Sequence, residues 1–127
     1  MRANLNYKIK REILDDVLQA SSNLDPLEFF AMLACSKQKG MIDEFVVVPA
    51  EYSRNSVLIK QWLIPFDRSI IGTIHSHPSG QSVPSHMDRQ NFAKFGEIHL
   101  ITFPPFSSQS FEVFDSQGRR TKIAVVD

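Results

Sequence analysis

Residues 72–88 read GTIHSHPSGQSVPSHMD, and this stretch decides what the chain can be. The apolar, β-branched residues 69–74 that lead into it predict a strand, which ends at the proline after the second histidine. Because side chains alternate between the two faces of a strand, His75 and His77 are expected to project to one side and Ser76 to the other. Two neighbouring imidazoles suit a tetrahedral zinc ion. A bare His-x-His is nevertheless more often a pair of ordinary surface or core histidines.

Asp88 follows the histidines after a loop and the first turn of a helix that is predicted over residues 85–95. Ser85 is well placed as the N-cap of this helix, and Gly96 as its terminator. One interpretation of Ser-x-x-Asp is a capping box in which Asp replaces the usual Glu or Gln. The other is a third metal ligand, because a strand–loop–helix connection can return the first helical turn to the strand end. The two roles are compatible, and two His with one Asp would leave a fourth zinc position open for water, as in catalytic sites.

Glu28 stands as a lone charge in the segment DPLEFFAML, residues 25–33. Pro26 stops any preceding helix near Asp25, and the apolar run that follows predicts a buried strand in preference to a short helix. Taken alone, Glu28 would be a solvated carboxylate at a strand end. Next to a metal centre it would be a candidate general base.

The rest of the chain predicts an α/β sandwich around one sheet, with two or three helices. A helix over residues 10–22 follows from the helical spacing of its apolar residues, which are Ile9, Ile13, Leu14, Val17 and Leu18. Further strands are predicted at residues 45–49, 56–59 and 97–103. Residues 110–114 and 121–126 are expected to pair across the turn at 115–118.

The composition limits the functions that the chain can have. Its 127 residues suit a single domain, residues 1–127, and Lys plus Arg balance Asp plus Glu at 14 each, which argues against broad nucleic-acid binding. Cys35 is the single cysteine, so no intrachain disulfide can form. Because it lies in the apolar run 29–35, it is interpreted as a small buried hydrophobe rather than a nucleophile. The polar N-terminus is unlike a signal peptide, and no apolar run approaches the roughly 20 residues that span a bilayer, so a cytoplasmic protein without membrane contact is expected.

The joint pattern His-x-His-x7-Ser-x2-Asp, met at His75, His77, Ser85 and Asp88, resembles the signature of the JAMM, or MPN-plus (Mov34/MPN/PAD-1, JAB), zinc metalloproteases. The Pro-x-Glu segment that ends at Glu28 is similar to the family's upstream glutamate segment. The resemblance extends from about residue 7 to the end and is closest to the short single-domain archaeal members. It implies a cytidine-deaminase-like JAMM/MPN fold, which is a mixed β-sheet flanked by two or three helices.

The same resemblance implies a mechanism and a class of substrate. One zinc ion per chain would be held by His75, His77 and Asp88, with Glu28 activating a water molecule and Ser85 stabilising the oxyanion. The substrate would be the amide or isopeptide bond after the C-terminal tail of a ubiquitin-like protein, such as a small archaeal modifier or a sulfur carrier.

Substrate and partner contacts are also implied outside the metal centre. The strand that contains Val57 and Leu58 corresponds to the family's first insertion and could pair with the substrate tail through main-chain hydrogen bonds. Trp62 and Phe66 would be core residues or an apolar surface for a partner or a homodimer.

Three alternatives stay open at this point. A metal-free scaffold or ubiquitin-like-binding module of the same fold would lack some ligands, whereas this chain has them all. The RadC-type branch of DNA-repair-associated proteins carries asparagine between the histidines, where this chain has Ser76. A zinc deaminase would need a Cys-x-x-Cys pair, and Cys35 is alone. Of the remaining histidines, His86 is expected to face solvent and His99 to be structural or at the surface.

Overall fold

The computed structural model describes residues 7–47, 50–52, 57–59 and 69–127. Within these ranges the elements, in chain order, are β1 (Lys8–Lys10), α1 (Arg11–Leu24), β2 (Phe30–Ala34), β3 (Met41–Ile42), β4 (Glu44–Val47), β5 (Ala50–Tyr52), β6 (Val57–Ile59), β7 (Ile70–Ser76), α2 (His86–Lys94), β8 (Ile98–Thr102), β9 (Phe111–Phe114), β10 (Arg120–Thr121) and β11 (Ala124–Val126). None of the described helices is both long enough and apolar enough to cross a membrane.

Six strands form the central sheet, in the order β10-β9-β8-β7-β2-β4. β7 and β8 are parallel, and the other neighbours in this sheet are antiparallel. Parallel neighbours need a crossover connection, which α2 supplies between these two strands. A three-stranded parallel sheet, β11-β1-β3, and the hairpin β5-β6 complete the described strands. The mixed sheet with two helices confirms the predicted α/β class.

The two helices pack on opposite faces of the central sheet. On the α1 face, Ile74, Leu100 and Val113 form a row across three strands and pack with the buried side of α1. That side of α1 consists of Leu14, Val17, Leu18 and Ser21. The hydrogen bond between the buried hydroxyls of Ser21 and Thr102, at 2.8 Å, adds a polar contact to this face.

The opposite, α2 face holds the residues that alternate with this row. Thr73 and His75 of β7 lie there because side chains alternate along a strand. The α2 helix contributes Phe92, which packs with Ile101 and Phe114. Gly72 allows β7 and β8 to approach closely, since a Cβ at this position would overlap the carbonyl oxygen of Ile98. The sheet therefore presents the C-terminal end of β7 to the start of α2.

Most local predictions are confirmed. The predicted helix over residues 10–22 is α1, which ends at Leu24 with Asp25 as its C-cap, just before Pro26. The run at 27–35 contains a strand, β2, as preferred over a helix. The strand predicted at 45–49 is confirmed as β4 up to Val47, and residues 48–49 lie outside the described residues.

Three predictions are wrong in detail. Ile9 does not belong to the apolar face of α1, because it lies fully buried in β1, where it pairs with Ile42 and Val125. Residues 121–126 do not form one strand against 110–114: Thr121 pairs with Val113, but β11 leaves this hairpin and pairs with β1. Cys35 is half-buried rather than buried, and it packs at the margin of the core.

Candidate metal centre

The three residues predicted as metal ligands meet at the junction of β7 and α2. His75 is the penultimate residue of β7, His77 follows the strand, and Asp88 lies in the first turn of α2. The Nε2 atoms of the two histidines are 3.2 Å apart. Nε2 of His75 lies 2.9 Å from Oδ1 of Asp88, and Nε2 of His77 lies 2.9 Å from Oδ2. Ser76 points to the other face, where its hydroxyl accepts a hydrogen bond from the backbone N–H of Phe29 at 2.7 Å.

These separations suit a small tetrahedral cation. Two ligands bound at ~2.0–2.1 Å to a tetrahedral zinc ion stand roughly 3.3 Å apart. Nδ1 of His77 lies 2.7 Å from the carbonyl oxygen of Gln81, which can only accept, so Nδ1 carries the proton in neutral His77. The lone pair on its Nε2 then faces the carboxylate of Asp88. Two acceptors at hydrogen-bond distance require a cation between them, and a nitrogen, nitrogen and carboxylate donor set fits zinc.

Asp88 has two structural tasks at once. The backbone N–H of Ser85 donates to its Oδ2 at 2.7 Å, and the backbone N–H of Asp88 donates to the Ser85 hydroxyl at 3.1 Å, so the capping box is present. Burial opposes the charged carboxylate, but its interactions with His75 and His77 outweigh this effect and hold the pKa of Asp88 well below its usual range. Burial likewise opposes the charged form of His77, and the bond to Asp88 nevertheless raises the pKa of His77.

Glu28 lies buried next to this cluster, with 6% of its surface exposed. Loss of water around the carboxyl group raises the pKa of Glu28 to about 7; the nearby His77 lowers it and Asp88 raises it. The charges of these two residues therefore reach Glu28, although they are distant from it in sequence. A carboxyl group whose pKa lies near neutrality can both accept and return a proton at neutral pH.

Ser85 is exposed at the rim of the cluster, where it is the N-cap of α2. Its hydroxyl oxygen accepts from the backbone of Asp88, which leaves the hydroxyl proton available for donation to another group. Gly96 follows the last turn of the helix with a positive φ of 120°, as expected for a terminator.

The other residues singled out in the sequence add no ligand to the cluster in the part of the chain that the structure describes. Val57 and Leu58 belong to β6, which pairs antiparallel with β5, and their side chains are outside the part of the chain that the structure describes. Trp62 and Phe66 also lie outside the described residues. His86 is exposed as predicted, and His99 is fully buried and therefore structural.

Two contributions to the site were not predicted. The carbonyl oxygen of Gln81 orients His77, and backbone atoms carry no residue-specific signal in a sequence. Thr73 and His99, which lie under the site, bond each other through their side chains at 2.7 Å. Thr73 could have been found from the sequence. It is two positions before His75, so strand alternation places it on the same face as the two histidines.

Comparison with known proteins identifies the family to which this geometry belongs. A sequence model of the family described as prokaryotic homologs of the JAB domain matches residues 10–116. The chain belongs to the prokaryotic JAB family. A Haloferax volcanii protein described as a probable metalloprotease is 28% identical to this JAB protein over 128 residues, which cover 94% of the chain and 79% of that protein.

Solved structures of relatives confirm the JAMM/MPN fold. A JAB1/MPN domain protein from Archaeoglobus fulgidus matches with a TM-score of 0.75 and 31% identity, over 94% of this JAB protein and 99% of that chain. A structure described as JAMM, a metalloprotease-like zinc site in the proteasome and signalosome, matches with a TM-score of 0.73 and 30% identity, over 96% and 99% of the two chains. The family is metalloprotease-like, and His75, His77 and Asp88 form a possible metal site, with all ligand atoms within 4.8 Å of one another.

Proposed function

We propose that this JAB protein is a zinc-dependent peptidase or isopeptidase. It cuts the amide or isopeptide bond after the C-terminal tail of a ubiquitin-like protein, such as a small archaeal modifier or a sulfur carrier. One zinc ion per chain is held by His75, His77 and Asp88. The observation that supports this most strongly is the position of Glu28, a buried carboxyl group with a pKa of about 7 beside three convergent ligands.

The protein residues divide the work of hydrolysis. A zinc ion held by His75, His77 and Asp88 would supply Lewis acidity, lowering the pKa of water toward ~7 and polarising a carbonyl group. Glu28 accepts the proton of the attacking water and returns it to the leaving amine. The Ser85 hydroxyl donates to the oxygen on which negative charge develops, a contact whose loss typically costs ~10²–10³ in rate. Gln81 holds the His77 ring in the tautomer that presents Nε2 to the metal.

A ubiquitin-like tail must reach the metal in an extended conformation. The hairpin β5-β6 is the candidate for its binding, because an exposed strand edge adds a peptide through main-chain hydrogen bonds. Proline or charged substitutions at Val57 and Leu58 are expected to raise KM for a tailed protein substrate. Unchanged cleavage by these variants would exclude the hairpin as the tail-binding edge.

Cleavage of a defined conjugate tests the function directly. The substrate is a small modifier protein ending in Gly-Gly, joined by an isopeptide bond to a lysine of a reporter protein. Wild type is compared with Glu28→Gln and Asp88→Ala, both expected to be inactive. Asp115→Asn is the matched control, since Asp115 is also buried and also accepts backbone hydrogen bonds, but in the turn after β9. Equal cleavage by all four proteins would refute the mechanism.

Zinc content separates the enzyme from the scaffold alternative. Purified wild type is expected to hold one zinc ion per chain, or to take one up after treatment with a chelator. A protein that cannot be loaded would be a metal-free module for ubiquitin-like partners. The single domain, a cytoplasmic location and a homodimer stay predictions from the sequence.

A further inference from the structure

A buried polar contact lies beneath the metal ligands on the α2 face. Thr73 and His99 are register partners in β7 and β8, and both are fully buried. Nε2 of His99 lies 2.9 Å from the carbonyl oxygen of Gly96, which can only accept, so Nε2 carries the proton. Nδ1 of His99 therefore accepts from the Thr73 hydroxyl at 2.7 Å. Both ring nitrogens of His99 are satisfied by the protein itself.

The His99 ring supports α2 through Phe92. The two rings stack with centroids 4.4 Å apart and an interplanar angle of 17°. Phe92 also lies 6.1 Å from the ring of His75 and 6.0 Å from that of Phe114. In α2 the buried residues are Asp88 and Phe92, four positions apart and hence on one side of the helix. Phe92 is thus the apolar anchor that lies one turn below the metal ligand.

The position of Asp88 depends on this anchor. A helix of nine residues is too short to be stable by itself and takes its position from packing. Its N-terminal end carries the capping box, which joins Asp88 only to its own helix. Its C-terminal end is tied to the sheet where Gly96 meets His99. Apart from the ligands themselves, the described contacts that join α2 to the sheet are of two kinds. Phe92 packs on His99, Ile101 and Phe114, and the residues just after the helix bond to the sheet, Gly96 to His99 and Glu97 to Ile71.

We propose that Thr73 and His99 are positioning residues for metal binding. By fixing the orientation of the His99 ring, the Thr73 hydroxyl sets the location of Phe92, and through α2 it sets Asp88 against His75 and His77. This inference rests on the proposed zinc site. Groups that hydrogen-bond directly to metal ligands typically contribute ~10–100-fold to metal affinity. Thr73 acts on Asp88 through the rings of His99 and Phe92, so an effect at the lower end of that range is expected.

A matched pair of threonines distinguishes positioning from general stability. Thr73 and Thr102 are both fully buried on neighbouring strands, and each bonds one side chain, His99 on the α2 face and Ser21 on the α1 face. Thr73→Val and Thr102→Val each remove one hydroxyl at nearly constant volume. Thr73→Ser keeps the hydroxyl and is the rescue variant.

The readout is the zinc Kd of the full chain, measured by chelator competition well below each variant's Tm. Thr73→Val is expected to weaken zinc binding at least ~10-fold, whereas Thr73→Ser and Thr102→Val stay within about threefold of wild type. Both valine variants are expected to lower Tm. Equal zinc affinity of the two valine variants would overturn the inference.

If Thr73→Val does not fold, His99→Phe replaces it, since it keeps a stacking ring and loses both hydrogen bonds. A wild-type zinc Kd for His99→Phe would also overturn the inference. A wild type that binds no zinc would instead refute the proposed function.

Discussion

Nε2 of His77 and Oδ2 of Asp88 lie 2.9 Å apart, and neither atom carries a proton when His77 is neutral and donates through Nδ1 to Gln81. In metal-free protein a proton must bridge them, and the raised pKa of His77 next to Asp88 agrees with this. A zinc ion at the proposed site would compete with this proton for the same lone pairs. Binding of the metal is therefore coupled to release of the proton.

Zinc affinity should rise with pH. We expect a tighter Kd at pH 8 than at pH 6, because the proton between His77 and Asp88 leaves more easily at the higher pH. Calorimetry in two buffers of different ionisation enthalpy measures the protons released. Mg²⁺, which prefers oxygen ligands, is the control cation and should bind weakly. A pH-independent zinc Kd would show that the two residues do not share a proton.

Glu28→Gln should abolish activity and stabilise the metal-free protein. The pKa of Glu28 is about 7 in the folded state and near 4.5 when unfolded, so ionisation of Glu28 favours unfolding as pH rises between these values. Removing the ionisable group should therefore add on the order of 3 kcal/mol to the free energy of unfolding at pH 8. Urea denaturation at pH 4 and pH 8 measures it, with the gain expected only at pH 8. If Glu28→Gln were less stable than wild type at pH 8, burial of the Glu28 carboxylate would not destabilise the folded protein, and the prediction would be wrong.

Acid should destabilise the protein through His99. Burial lowers the pKa of His99 to about 4, while the unfolded chain keeps the ordinary value of 6.5. Below pH 6.5 the unfolded state binds a proton that the folded state does not, so stability falls until the pH reaches about 4. The contribution is on the order of 3 kcal/mol. The free energy of unfolding of wild type and His99→Gln, measured as a function of pH, isolates the contribution of His99. Parallel curves for the two proteins would contradict the prediction.

Ser85 should contribute separately to helix stability and to catalysis. Ser85→Ala removes the cap and is expected to cost about 1 kcal/mol, whereas Ser85→Gly costs only about a few tenths because glycine is tolerated at the N-cap. Both variants lose the hydroxyl, so both should lose ~10²–10³ in kcat. Thermal unfolding and steady-state kinetics on the same preparations separate the effects. If kcat followed stability across the two variants, Ser85 would act only as a cap.

The sequence predicted those helices and strands that have a clear apolar spacing or an unbroken apolar, β-branched run. The helix α1 and the strands β2, β7 and β8 are of this kind. The β11-β1-β3 sheet was missed, because its three short strands are far apart in the sequence and their pairing leaves no local period. Ile9 illustrates the difficulty: its spacing to Ile13 fits a helix face, but long-range pairing with Val125 decides its structure.

In the site, too, contacts between residues close in sequence could be predicted, and contacts that depend on strand pairing could not. The strand, loop and helix turn that connect His75, His77 and Asp88 allowed the three residues to meet, but left Asp88 open between a helix cap and a metal ligand. The resemblance of their joint spacing with Ser85 to the JAMM signature decided for the ligand. The contact of Thr73 with His99 could not be predicted, because it depends on the parallel register of β7 and β8. The burial of Glu28 also arises only once β2 is paired with β7.

The double task of Asp88 has a consequence for how such proteins diverge. In the proposed zinc site its carboxylate is an anionic ligand, whereas the capping box needs only its Oδ2 atom, which accepts from the backbone N–H of Ser85. Asp88→Asn, reached by a single base change in the codon, would keep an oxygen for the cap while removing the anionic ligand. A lineage could therefore give up catalysis in one step and retain a folded domain for other uses, so loss of activity need not pass through an unstable ancestor.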